Sequence, residues 1–209
     1  MSQRQHKHFN TLLNRRVEAS ASSSYTGSPI RYAHTREVDS FHPLTSNRKV
    51  RVTRNQKTGM VERVVEKTRV ADMNIMSPKR CFDWRISVSL ENQGLSFPLS
   101  SLTRSLTGGI LAQQPQDRGD NLRYKDRISY SHQLLQVDLT QVSSSGPGID
   151  PLTHELEIEF RDARVLLHEA AKEARGEPNK YLEMVQIFLN NIRTFSSSSL
   201  GIDIDCGVL

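Results

Sequence analysis

Glu155-Leu156-Glu157-Ile158-Glu159-Phe160 alternates a carboxylate with an apolar side chain at every step. That two-residue period is the period of a β-strand, in which positions i, i+2 and i+4 share one face at roughly 6.5–7 Å spacing. Glu155, Glu157 and Glu159 therefore line one face, and Leu156, Ile158 and Phe160 the other. Three like charges in a row repel one another, and a bound hard cation is a natural remedy. Upstream, Arg123, Lys125 and Arg127 form a row of the opposite sign. Between the two rows, Gln136, Asp138 and Thr140 alternate against Leu135, Val137 and Leu139. Arg85, Ser87, Ser89 and Glu91 alternate against Ile86, Val88 and Leu90, Arg51 and Thr53 against Val50 and Val52, and Lys67 and Arg69 extend the series.

An ordinary half-exposed sheet also alternates, with its apolar face inward and its polar face in water. Solvated strand faces mix their charges, however, whereas here most rows carry a single sign. A row of Arg-Lys-Arg suits phosphate oxygens. If the sheet curls so that the acidic and basic rows face one another, its interior suits a metal-bridged polyphosphate. The apolar faces would then point outward and need covering.

Helical segments are available to cover them. Phe9, Leu12, Leu13 and Val17 lie at helical spacing within 6–20. Val165, Leu166, Ala170 and Ala174 form a second stripe, and Leu182, Val185, Phe188, Leu189 and Ile192 a third. Pro178 is placed to open the last helix. Strands are expected over 36–41, 50–54, 60–75, 82–91, 122–131, 134–142 and 154–160, with a glycine-closed hairpin at Asn55-Gln56-Lys57-Thr58-Gly59. The stretches 93–119 and 143–151 read as loop insertions, and 196–209 as a mobile or late-edge tail. The expected class is α+β: one domain over 1–209, with a helix over 1–20, a β-tunnel over 29–160 and helices over 161–195.

The chain of 209 residues carries 28 Lys and Arg against 23 Asp and Glu. The excess is uneven: residues 1–80 hold 16 basic and 6 acidic side chains, and the remainder 12 and 17. A basic half attracts polyanions, and an acidic half can hold a cation. No apolar run reaches the roughly 20 residues that a bilayer crossing needs, and Met1-Ser2-Gln3-Arg4 does not open a secretory signal. Cys81 and Cys206 alone form neither a disulfide framework nor a thiolate zinc site. The expectation is an intracellular globular domain without membrane contact. His132 and His154 read as strand-end hydrogen-bonding residues, Cys81 as a small buried or loop residue, Trp84 as packed under the wall, and Met184 as core.

The blocks His34-Thr35-Arg36-Glu37-Val38-Asp39, Lys49-Val50-Arg51-Val52-Thr53, Lys67-Thr68-Arg69 and Phe82-Asp83-Trp84-Arg85-Ile86-Ser87 recur in order with the Arg123–Tyr130 block, Val137-Asp138-Leu139-Thr140 and the glutamate row. In this series the sequence resembles the fungal-type RNA 5′-triphosphatases, the beta subunits of mRNA-capping enzymes, within the triphosphate tunnel metalloenzymes. The resemblance implies an eight-stranded antiparallel tunnel with a charged lumen covered by helices. It implies hydrolysis of the γ-phosphate of triphosphate-ended RNA in the nucleus, with Mg²⁺ or Mn²⁺ as cofactor and an mRNA guanylyltransferase as partner. By the same likeness Glu155, Glu157 and Glu159 hold metal. Arg51, Lys67, Arg123, Lys125 and Arg127 surround the phosphates. Glu91 and Asp138 orient water or basic side chains, with Glu91 also a candidate general base; Thr140 is a further candidate. Family members can pair as homodimers.

One family element is missing. A first strand of Glu-x-Glu type precedes the helix in such enzymes, and this sequence begins at that helix. Glu37 and Asp39 alternate similarly, but the family's first glutamate strand is a separate element, so they are not expected to replace it. Two readings follow: a shortened form of a longer enzyme, or a relative that binds polyphosphate, RNA ends or the guanylyltransferase without turnover.

Overall fold

The computed structural model describes residues 1–45, 48–80, 82–93, 122–145 and 152–198. Helix α1, Gln3–Ser20, begins three residues before the apolar stripe predicts, because Ser2 and Gln5 form a reciprocal capping box. The strands are β1 (Arg31–Thr45), β2 (Arg48–Asn55), β3 (Val61–Ile75), β4 (Trp84–Gln93), β5 (Arg123–His132), β6 (Leu135–Ser144) and β7 (Thr153–Phe160). Helices α2 (Ala163–Ala174) and α3 (Tyr181–Ser198) follow.

The strands form one seven-stranded sheet in the order β4-β3-β2-β1-β5-β6-β7. Every pairing is antiparallel. β1 extends well beyond the expected 36–41. It is the central strand, so ladders to β2 and β5 on both sides hold residues whose charge conceals a strand signal. The β2–β3 turn matches expectation: Asn55 Oδ1 accepts from the Lys57 and Thr58 amides, and Gly59 closes it at φ +70°.

The two faces of the sheet differ sharply. On the outer face Tyr130, Val137 and Leu139 bury against Phe9 and Leu13 of α1 and Phe195 of α3, with Leu156 and Ile158 alongside. Phe82 and Trp84, at the start of β4, join the same cluster. Phe82 lies 5.6 Å from Phe9, and the Trp84 indole donates to Ser196 Oγ at 2.8 Å. β4 and β7 are the two ends of the sheet, so a single cluster touching both shows that the sheet curls round. No described strand pairs with the outer side of either.

Several expectations need correction. The stripe on α2 packs on α3, and none of the helix's residues is buried. Pro178 does not open α3: Asn179 Oδ1 accepts from the Tyr181 amide instead. Residues 196–198 are the last turn of α3, with Ser196 buried. His132 meets the Ser28 carbonyl at 3.0 Å as expected. His154 instead lies against the His6 ring, and its Nε2 has no hydrogen-bond partner among the described residues. Met184 is buried as expected. Cys81, the insertion over 94–119 and the tail over 199–209 lie outside the described residues.

Candidate active site

The inner face carries the charged rows of β2 to β7 that the sequence singles out. In β5–β7 the ladder sets Arg127 beside Thr140 and Glu155, and Ser129 beside Asp138 and Glu157. Arg123 reaches Glu155 at 3.0 Å. Arg127 is held on three sides: Asp138 at 3.1 Å, Glu157 at 3.4 Å and the Thr140 hydroxyl at 3.2 Å. Arginines therefore relieve the repulsion among the glutamates at two of the three positions, where the sequence suggested a cation. Gln136 bridges Asp138 and Glu159, donating to each at 3.1 and 3.2 Å.

On β1–β4 the geometry is different. Lys125 is buried and ion-paired with Asp39, which also accepts from Thr53 Oγ1 at 2.7 Å. Glu37 takes Arg63 at 2.5 Å. Glu37 and Asp39 thus lie on the channel face but are already neutralised, and they do not form a second carboxylate strand. Glu91 lies 3.4 Å from Lys67 and 3.8 Å from Arg51, which makes it a bridge between two cations.

The charges perturb one another across the channel. Burial raises the proton affinity of Asp138, and Glu157 adds to it against the pull of Arg127. Enclosure by the channel walls raises Glu159 likewise, with Asp138, Glu157 and, from the opposite end of the sheet, Glu91 contributing. Burial would raise Asp39, but its bonds from Lys125 and Thr53 outweigh that and lower it. Burial lowers Lys125, with Arg51 and Arg127 assisting, against the attraction of Asp39. Burial also opposes the charge on Arg127, yet Asp138 and Glu157 hold it firmly protonated.

Among the described residues no three His, Cys, Asp or Glu side chains converge as a metal-binding group. The donor chemistry at the β7 end nevertheless suits a hard divalent ion: carboxylate oxygens at Glu157 and Glu159 beside Asp138, carrying more negative charge than Arg127 offsets. The arrangement offers cations to an anionic ligand through Arg51, Lys67 and Arg123, and carboxylates to a cation at one end.

Sequence reading placed Thr53 and Gln136 on polar strand faces without giving them a role and did not single out Arg63; that Glu37 and Asp39 do not replace the first glutamate strand agrees with it. The alternation on β1 was visible, but only the register sets Glu37 opposite Lys125 and Asp39 opposite Arg123.

Residues 1–199 match the family described as "mRNA capping enzyme, beta chain". The chain is 34% identical over 196 residues to the mRNA-capping enzyme subunit beta of Schizosaccharomyces pombe, covering 92% of this chain and 59% of that protein. It is 36% identical over 194 residues to the subunit beta of Cryptococcus neoformans, covering 90% of this chain and 43% of that one. It thus spans about half the length of these curated relatives. The solved structure of the S. pombe Pct1 RNA triphosphatase superposes with a TM-score of 0.76 at 34% identity, over 94% of this chain and 68% of that one. A second structure, of Pct1 in complex with the Spt5 CTD, gives 0.74 at 33%, with the same coverage. With its curled sheet, its facing rows of opposite charge and a match over nearly its whole length, the chain belongs to the beta-chain family of mRNA-capping enzymes.

Proposed function

We propose that the chain carries the phosphate-binding channel of an mRNA-capping RNA 5′-triphosphatase. The reaction is hydrolysis of triphosphate-ended RNA to a diphosphate end and inorganic phosphate. The observation that carries this reading is the inner face itself, where Arg123, Lys125 and Arg127 confront Glu155, Glu157 and Glu159 across one strand. Arg51, Lys67 and Arg123 face the channel and offset charge on phosphate oxygens. Lys125 and Arg127 stand in the wall beside them, already paired with Asp39 and with Asp138 and Glu157. Glu91 orients Lys67 and Arg51 instead of taking a proton.

Glu157 and Glu159 would contribute oxygens to Mg²⁺ or Mn²⁺, with Glu155 held nearby by Arg123. When bound, the ion supplies Lewis-acid polarisation of the γ-phosphoryl group. Water attacks the γ-phosphorus in line, and the bond to the β–γ bridging oxygen breaks. The family resemblance also supports a nuclear protein, a guanylyltransferase that consumes the diphosphate end, and pairing with a second copy. The Pct1 complex supports docking of an Spt5 CTD as well.

Phosphate release from γ-labelled triphosphate-ended RNA in Mg²⁺ or Mn²⁺ tests this. Glu157→Ala and Lys67→Ala should each lower kcat by roughly 10²-fold. Turnover unchanged by both would sink the assignment. Salt-sensitive binding with neither metal dependence nor turnover would mark a binding module instead.

A further inference from the structure

We infer that the channel mouth beside Arg123 is a binding site for the 5′-terminal nucleoside of the triphosphate ligand, contacted by stacking and blind to base identity. The inference rests on the phosphate-channel reading above and adds the part of the substrate that this reading leaves unplaced.

Where β1 and β6 end and β2 and β5 begin, a cavity of about 600 Å³ is lined by Phe41, Pro43, Lys49, Leu122, Arg123 and Ser145. That volume is within the range of small-molecule sites, roughly 300–1,000 Å³. The cavity adjoins the channel face: Arg123 belongs both to its lining and to the basic row, and Phe41 pairs with Arg51.

The order of charges along the channel sets the ligand's direction. Inward from the cavity come Arg123, Lys125 and Arg127, at steps of roughly 6.5–7 Å. At the far end Asp138, Glu157 and Glu159 set three carboxylates against the single guanidinium of Arg127. A triphosphate whose terminal phosphoryl group sits toward those acids leaves its sugar and base at the cavity.

The lining chemistry also changes there. Alternation along β1 puts Phe41 on the same face as Glu37 and Asp39, directly opposite Arg51. Its ring is 36% exposed and makes no ring contact among the described residues. Pro43 and Leu122 extend the apolar patch at the rim of an otherwise charged wall. Base–aromatic stacking tolerates any base, because every base has a π-face. Of the two lining serines, Ser144 and Ser145, the Ser145 Oγ is already engaged, accepting from the Leu122 amide and donating to the Leu122 carbonyl. Lys49, at the outer rim, suits the next phosphodiester.

Calorimetric titration in EDTA, where no turnover occurs, separates nucleoside from phosphate recognition. Tripolyphosphate and the four nucleoside triphosphates serve as probes. Phe41→Ala should weaken all four nucleotides by roughly 5- to 100-fold, leaving tripolyphosphate within about twofold, and Phe41→Trp should retain nucleotide affinity. Phe41→Ala that weakens tripolyphosphate as much as ATP, or alters neither, overturns the site, including the case in which the chain itself fills the cavity. A strong preference for one base overturns the stacking account. Wild-type protein that binds no tripolyphosphate overturns the phosphate channel first, and this site with it.

Discussion

Lys125 and Asp39 are 5% and 0% exposed, so their ion pair is cut off from water almost completely. Such a pair adds little net stability over an apolar pair of the same shape, but removal of one partner strands the other charge. Lys125→Ala or Asp39→Ala should therefore cost about 3–5 kcal/mol in urea unfolding. The Asp39→Leu/Lys125→Met double variant should cost less than the sum, and strict additivity would show that the two do not interact. Glu159 provides the opposite case. Its folded-state proton affinity is raised, so it stabilises the fold below its ordinary titration range, and that contribution is lost as pH rises through the raised value. Glu159→Gln should melt higher than wild type at pH 7, and the difference should vanish in acid. A gap that persists at pH 3 would contradict the sign.

At the scale of elements, α1 and α3 cover the outer face through a few aromatic rings. Phe9 is fully buried and lies 5.6 Å from both Phe82 and Phe195. Phe9→Ala should cost about 3–5 kcal/mol, measured by denaturant titration, and should expose the α1 amides to hydrogen exchange before those of β5. A uniform change in protection would argue that α1 is not a separable cover. Strands and covering helices were legible in the sequence because a period of 2 and a period of 3.6 are hard to confuse. The ends of elements were not. β1 reads as polar and broken because its order comes from ladders on both flanks, and the start of α3 depends on the side chain of Asn179 and not on the proline before it. The α2 stripe packs on α3, since periodicity says that a helix has an apolar side and not which element lies against it.

For the whole molecule, opposite charges lining one channel predict that a polyanion binds the folded state alone. Tripolyphosphate at a hundred times its Kd should add about 2.7 kcal/mol to the unfolding free energy, seen as a rise in Tm that shrinks with added salt. A Tm indifferent to tripolyphosphate would mean that the inner cations are satisfied internally. Membership of the candidate site was largely visible in sequence, because alternation assigns each residue to a face. The pairing within it was not: that Arg127 grips Asp138 and Glu157, or that Lys125 is spent on Asp39, depends on register and on the reach of long side chains.

The aromatic cluster that gathers Trp84 from one end of the sheet and Leu156 and Ile158 from the other has a mechanical consequence. No described ladder bond crosses that seam, so the calibre of the bore is governed from outside, by a clasp of rings. Clasps of this kind slacken on cooling, when apolar contacts lose their driving force. A chilled molecule would gape along the seam while every strand pair stayed intact.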